Sequence, residues 1–370
     1  MPTERSTSPR SSPTPCTSRA CCPTSTSPAP PAHRRWSRGS PRAVGTATPT
    51  PWIPTYSHAA ANSGRRPHRP SNAPCGVVRW RAPNQEVADV PKPIDLKGAS
   101  VAITGAARGI GYATARAFVA EGARVFIGDL DADLAKASAK ELGCAGAGVD
   151  VRSRKSFADF LAGIDAPLEV LVNNAGIMPA GRFVDEPDAV TDAIVNVNLN
   201  GVLRGTKLVL PGMLERGSGH IVNVASYLGE VPAAGLATYC ASKHAVVGFS
   251  EALRDELADT GVTVTTVLPS AVRTDLVSGV KLGGMLPTVD PEDIAKAIVA
   301  TCKGRPAVVA VPGWMRSYEA VAALVPDKMV GAIRGRLTRD RVLRSLDTSA
   351  RAGYDERIRR DAESGQPKKS

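Results

Sequence analysis

Two apolar textures alternate between residues 99 and 311. Short continuous apolar runs predict strands over residues 99–104, 124–129, 146–151, 168–173, 220–225, 262–269 and 307–311. Apolar residues spaced by three and four predict helices over 112–121, 132–142, 155–161, 189–213 and 239–259. Strands that are apolar throughout need cover on both faces. Strands that alternate with helices pair in parallel. The pattern therefore predicts an α/β fold: a doubly wound, seven-stranded parallel sheet with helices on both faces. No internal repeat interrupts it.

The flanks read differently. Residues 1–93 hold 18 of the 30 prolines, with much Ser, Thr and Arg. Such a segment cannot bury enough apolar surface to offset its ordering entropy, so the expectation is a disordered extension. The core domain is expected over 94–312, a helical basic extension over 313–351 and a frayed polar tail over 352–370. Apolar Met329, Val330, Ile333, Leu337 and Val342 recur at near-helical spacing among arginines in 314–344. A membrane-surface helix would carry that pattern, and so would a helix packed on the core with a basic outer face. The packed helix is the expectation.

The formal charge of +11 suggests nucleic acid until its location is considered. Residues 1–93 carry 13 Lys/Arg against 3 Asp/Glu, and 332–370 carry 11 against 6. Residues 94–331 carry 22 against 26, so the core offers no basic binding face and no nucleic-acid partner is expected. Cys16, Cys21, Cys22, Cys75, Cys144, Cys240 and Cys302 have no zinc-ligand spacing with histidines, and no metal is expected. Scattered cysteines fit a reducing cytosol, and a cytoplasmic location is expected. No run reaches the roughly 20 apolar residues of a membrane span, and the N-terminus lacks the apolar segment of a secretory signal. Its Arg/Ser richness resembles a transit peptide, which its prolines oppose.

Chemistry concentrates at strand ends. Gly105, Arg108, Gly109, Ile110 and Gly111 form a GxxxGxG turn between the first strand and its helix. Glycines permit close backbone approach to a phosphate, and a helix start favours an anion. Asp129 ends the second strand, where a carboxylate can accept from both ribose hydroxyls and repel a 2′-phosphate. That favours NAD over NADP, although Arg108 could receive the phosphate. Asp129 could equally cap the next helix. Asp150 could reach an adenine edge or serve as a turn residue. Tyr239 and Lys243 are four apart on one helix face. A neighbouring ammonium would lower the phenol from its usual value of about 10. Ser226 follows a strand and can polarise a substrate oxygen. It lies in no Gly-x-Ser-x-Gly elbow, which argues against a hydrolase. His220 and His244 read as structural.

On the residues Thr104–Gly111, Asp129, Asp150-Val151, Asn173–Gly176, Asn198, Ser226, Tyr239 with Lys243, and Pro269 through Thr274, the chain resembles the short-chain dehydrogenase/reductase family in its ordinary single-domain branch. The resemblance covers roughly residues 94–312 and implies a Rossmann-type fold. It implies Tyr239 as general acid/base, Lys243 as its modulator and ribose ligand, and Ser226 as substrate-orienting group. It implies that Asn198 interrupts its helix and holds a relay water. Asn174, Ala175 and Gly176 would support the central strand and touch the cofactor. Asp150 and Val151 would meet the adenosine, and Pro269, Val272 and Thr274 the nicotinamide end. Ser270 departs from the glycine usual after that proline. The family normally starts near Lys92, so a start assigned too early is the expectation for residues 1–90.

The resulting expectation is an NAD(P)-dependent enzyme that interconverts a secondary alcohol and a ketone. A non-catalytic nucleotide sensor on the same fold is the rival. An apolar lid over 275–288, with Leu276, Val277, Val280, Leu282, Met285 and Leu286, and the small apolar stretch 229–236 suggest a lipophilic substrate. A homodimer or homotetramer is implied by the resemblance.

Overall fold

The computed structural model describes residues 92–280, 286–317 and 341–364. Nearly all of the proline-rich extension, the basic stretch with Met329, Val330, Ile333 and Leu337, and lid residues Leu282 and Met285 lie outside them.

Each predicted strand is present. The elements run β1 (Ser100–Thr104), α1 (Gly109–Ala120), β2 (Arg124–Asp129), α2 (Ala132–Leu142), β3 (Ala145–Gly148), α3 (Arg154–Ala162) and β4 (Leu168–Asn173). They continue with α4 (Asp188–Val195), α5 (Gly201–Arg216), β5 (Gly219–Val224), α6 (Ala237–Glu256), β6 (Val262–Pro269), β7 (Ala271–Val272), β8 (Thr288–Val289), α7 (Pro291–Gly304) and β9 (Val308–Val311). Among the described residues two further helices follow, α8 (Arg341–Arg344) and α9 (Thr348–Ser364). Seven parallel strands form the main sheet in the order β3-β2-β1-β4-β5-β6-β9. Alternate residues of each strand feed opposite faces. Val101, Ile103, Val125 and Ile127 pack with Phe118 of α1 and Ile294 and Ile298 of α7. Ala102, Leu171, Ile221 and Val264 pack on the other side with Phe157, Val209, Met213 and Leu253. The winding reverses between β1 and β4, which opens a crevice at their carboxyl ends.

Four expectations need correction. The third strand is Ala145–Gly148, not 146–151. Its glycines let α2 lie close: a Cβ on Gly146 would meet the Ala135 carbonyl at 2.6 Å. The continuous helical pattern over 189–213 is two helices joined by a π turn at Asn196–Asn200, an interruption at Asn198 as the resemblance implied. Asparagine side chains compete there for main-chain bonds, and Asn198 is committed to Ile177 in a separate segment. Helix α7 and the β7–β8 ribbon were not predicted. The frayed tail from residue 352 is the helix Thr348–Ser364.

That last helix is held by Arg351, which is fully buried. Its guanidinium donates to the carbonyls of Leu276 (3.2 Å), Ser278 (2.9 Å) and Met178 (2.7 Å), and pairs with Asp355 at 3.2 Å. A buried cation persists only when so satisfied. Among the described residues no helix is long and apolar enough to cross a membrane.

His220 is fully buried on β5, with Nδ1 2.8 Å from Thr263 Oγ1 and Nε2 3.0 Å from Thr301 Oγ1. Burial, with nearby Arg305, pushes its pKa down to about 3. Unfolding lets the ring protonate near its ordinary value, so this group's stabilisation is present above about pH 6.5 and lost as pH falls toward 3. Urea unfolding between pH 6.5 and 4 is expected to show an acid slope that flattens in His220→Gln by up to about 1.4 kcal/mol per pH unit.

Candidate active site

The glycine turn folds onto the end of β4. Gly105 and Gly109 have φ of +63° and +57°, which disfavours side chains. A Cβ on Gly105 would lie 2.7 Å from Ala175 Cα, and one on Gly111 2.6 Å from Asn174 Nδ2. Asn174 Nδ2 donates to the carbonyls of Thr104 and Gly105, each at 2.9 Å. Thr104 Oγ1 accepts from the amides of Asn174 (3.1 Å) and Ala175 (3.2 Å). The two motifs are thus one unit, and α1 starts from it with no side-chain cap on its amides.

Asp129 is not a helix cap. Its Oδ2 accepts from the Ala107 amide at 3.1 Å and its Oδ1 from the Asp131 amide at 3.2 Å. Asp131 caps α2 instead, through the Leu134 amide. Arg108 lies 3.5 Å from Asp131. Asp150 is clasped by Arg152, with Nε–Oδ1 and Nη2–Oδ2 both 2.9 Å. Burial works to raise this carboxyl, but the bonds from Arg152 outweigh it and hold the carboxyl below the ordinary carboxylate range. An adenine contact expected of that carboxylate competes with Arg152, which sequence reasoning missed. Arg152 Nη1 also donates to the Asp361 carbonyl of α9 at 2.8 Å.

Ser226, Tyr239 and Lys243 converge, each less than a tenth exposed. Burial drives the Tyr239 phenol well above its ordinary value, and the Ser226 hydroxyl opposes that shift. Lys243 Nζ lies 5.8 Å from the Tyr239 ring centre and donates to the Val224 carbonyl at 2.9 Å. Burial pushes this amine down to about 8. The side chains share a helix face, and desolvation opposes the charged form of each. Asn198 is fully buried; its Oδ1 accepts from Ile177 N at 2.8 Å, and its Nδ2 donates to Ile177 O at 2.9 Å and Ser242 Oγ at 3.1 Å. Gly176 lies between, since a Cβ there would sit 3.4 Å from Asn198 Oδ1 and 3.6 Å from Lys243 Nζ.

A cavity of about 750 Å³ joins these groups. Its wall includes Gly105, Arg108, Gly109, Ile110, Asp129, Asp150, Val151, Asn174, Ala175 and Gly176, and also Ser226, Tyr239, Lys243, Pro269, Val272 and Thr274. Gly111 and Asn198 stand behind that wall. Ser270, which replaces the expected glycine, accommodates its side chain by donating to the Pro287 carbonyl at 2.7 Å. Of the apolar lid, Leu276, Val277 and Leu286 face the cavity, while Val280 packs into the core. The stretch 229–236 does not line it; Val231 and Leu236 are core residues. Sequence reasoning also missed Met178, Tyr354, Arg357, Ile358, Arg360 and Asp361 in the wall. A signal existed: Tyr354, Ile358 and Ala362 follow Arg351 at helical spacing.

The cavity has the parts that a dinucleotide requires: a side-chain-free turn at a helix start, a strand-end carboxylate and a buried Ser–Tyr–Lys group along one wall. Among the described residues no group of three or more His, Cys, Asp or Glu could hold a metal ion.

The family pattern for "short chain dehydrogenase" matches residues 99–282. D-beta-hydroxybutyrate dehydrogenase of Cupriavidus necator is 37% identical over 193 residues, 49% of this chain and 74% of that protein. The chain belongs to the short-chain dehydrogenase/reductase family. The Mycobacterium tuberculosis protein named "Probable oxidoreductase EphD" is 35% identical to this family member over 264 residues, 69% of this chain and 42% of EphD. The chain therefore spans less than half the length of that relative. The crystal structure of an actinorhodin polyketide ketoreductase variant with NADPH superposes with a TM-score of 0.54 at 34% identity, over 59% of this chain and 97% of that one.

Because Gly111 has no room for a methyl group, Gly111→Ala is expected to force the glycine turn away from Asn174. Stability should fall by about 1–3 kcal/mol, and fluorescence titration with NADPH should report affinity weakened by roughly 10-fold or more.

Proposed function

We propose that this short-chain dehydrogenase/reductase transfers hydride between a nicotinamide cofactor and a lipophilic alcohol/ketone pair. The observation that carries the reading is the joining of Gly105, Gly109, Ile110, Asp129, Ser226, Tyr239 and Lys243 in one cavity. The nicotinamide supplies the hydride for reduction, or accepts it for oxidation. Tyr239, kept protonated by burial, donates its proton to the carbonyl oxygen as the carbon is reduced. Ser226 donates a hydrogen bond to the same oxygen and stabilises its developing charge. Lys243, with its pKa pushed down to about 8, binds ribose hydroxyls and exchanges protons at neutral pH. Asn198 fixes the Ile177 backbone beside it. Gly111 and Asn174 shape the phosphate turn, and Val272, Thr274 and Pro269 bound the nicotinamide end.

Leu228, Leu276, Val277, Leu286 and Met178 give the substrate end an apolar wall, which supports a lipophilic substrate. The catalytic domain in this reading covers 94–312, and the helix Thr348–Ser364 belongs to the same site. A cytoplasmic homo-oligomer completes the proposal. NAD and NADP stand as equals: Asp129 favours ribose hydroxyls, while Arg108, partly exposed beside Asp131, suits a 2′-phosphate. The similar polyketide ketoreductase was crystallised with NADPH.

Two measurements test this. In a nicotinamide absorbance assay over aliphatic ketones, steroids and sugars, Tyr239→Phe is expected to lose about 10²–10⁴ in turnover while cofactor affinity stays within about two-fold. Retained turnover, or activity confined to sugars, would sink the reading. In Arg108→Ala, kcat/KM for NADP should drop about 10-fold or more, with NAD changed less than about two-fold. Equal losses for both cofactors would remove the phosphate role.

A further inference from the structure

Tyr354 belongs to α9, beyond the span of the family match, yet it forms part of the same wall as Ser226 and Tyr239. Its hydroxyl oxygen accepts a hydrogen bond from the Met178 amide at 2.9 Å. Among the described residues, the hydroxyl donates no hydrogen bond of its own. A phenol oxygen that accepts from one side keeps its O–H to donate elsewhere.

The ring cannot swing away easily. The Arg351 guanidinium lies 4.8 Å from its centroid and that of Arg357 5.4 Å. Arg351 is itself pinned to Leu276, Ser278 and Met178, so Tyr354 is anchored to both the lid and the loop after β4. Burial pushes the phenol up to about 12, which keeps it a neutral donor over the physiological range.

We propose that Tyr354 is a substrate-binding, specificity-determining residue that donates a hydrogen bond to a second oxygen acceptor on the substrate, apart from the carbonyl addressed by Ser226 and Tyr239. The substrate class is thus narrowed to lipophilic carbonyl compounds carrying a second carbonyl or ester oxygen. This rests on the oxidoreductase reading for the site, but not on turnover.

The test compares two probes of similar length: 2-decanone, with one carbonyl, and methyl 3-oxononanoate, with a ketone and an ester. Affinities are measured by ligand-observed NMR titration of the full chain in the presence of oxidised nicotinamide cofactor. The wild type is expected to prefer the keto ester, and Tyr354→Phe, which retains the ring, should cut that preference about 3- to 10-fold. Affinity for 2-decanone should stay within about two-fold. An equal fall for both probes would make Tyr354 a packing residue and overturn the proposal. So would an unchanged ratio, or a wild type that binds neither probe. A chain that showed the expected ratio but reduced neither compound would overturn the hydride-transfer reading and support the role of Tyr354.

Discussion

The arrangement depends on how two strand ends are satisfied where the sheet reverses direction. At the carboxyl ends of β1 and β4 the ladder stops, and main-chain groups there must find other partners. The Asn174 carboxamide takes the Thr104 and Gly105 carbonyls, and the Thr104 hydroxyl takes the Asn174 and Ala175 amides. This closes the crevice floor without filling it. It also explains the two glycines beneath: the carboxamide and the Ala175 backbone occupy the space that side chains at Gly111 and Gly105 would need.

A second polar ladder runs behind the first. Asn173 donates to Asn223, and Asn223 to Ser250 on α6. It links β4, β5 and the helix that carries Tyr239 and Lys243. Buried polar groups tolerate little misregistration, since a displaced partner leaves an unsatisfied dipole. The reacting groups are therefore positioned by the same sheet that builds the turn, and the cavity between them inherits its dimensions from strand spacing.

Much of this was legible in the sequence because the main determinants are local. Continuous apolar runs mark the buried strands, and GxxxGxG, Asn173–Gly176 and Tyr239 with Lys243 each fall at a strand or helix end set by those runs. What was not legible depends on distant partners. Asp150 looks available until Arg152 is seen to grip it, and no local pattern says that Arg152 also reaches the main-chain carbonyl of Asp361, far along the chain. The shifts at Tyr239 and Lys243 follow from desolvation, which helix spacing does not record. Helix α9 was overlooked because its inward stripe begins with arginine, a residue ordinarily read as solvent-facing; its three carbonyl acceptors arrive from segments far away in the chain.

Those acceptors are main-chain oxygens, which every amino acid possesses. The grip of Arg351 on the lid consequently takes no account of which side chains the lid bears. Residues such as Leu276 can be exchanged to suit a new compound while the helix stays fastened, so chamber selectivity and chamber closure are free to diverge independently.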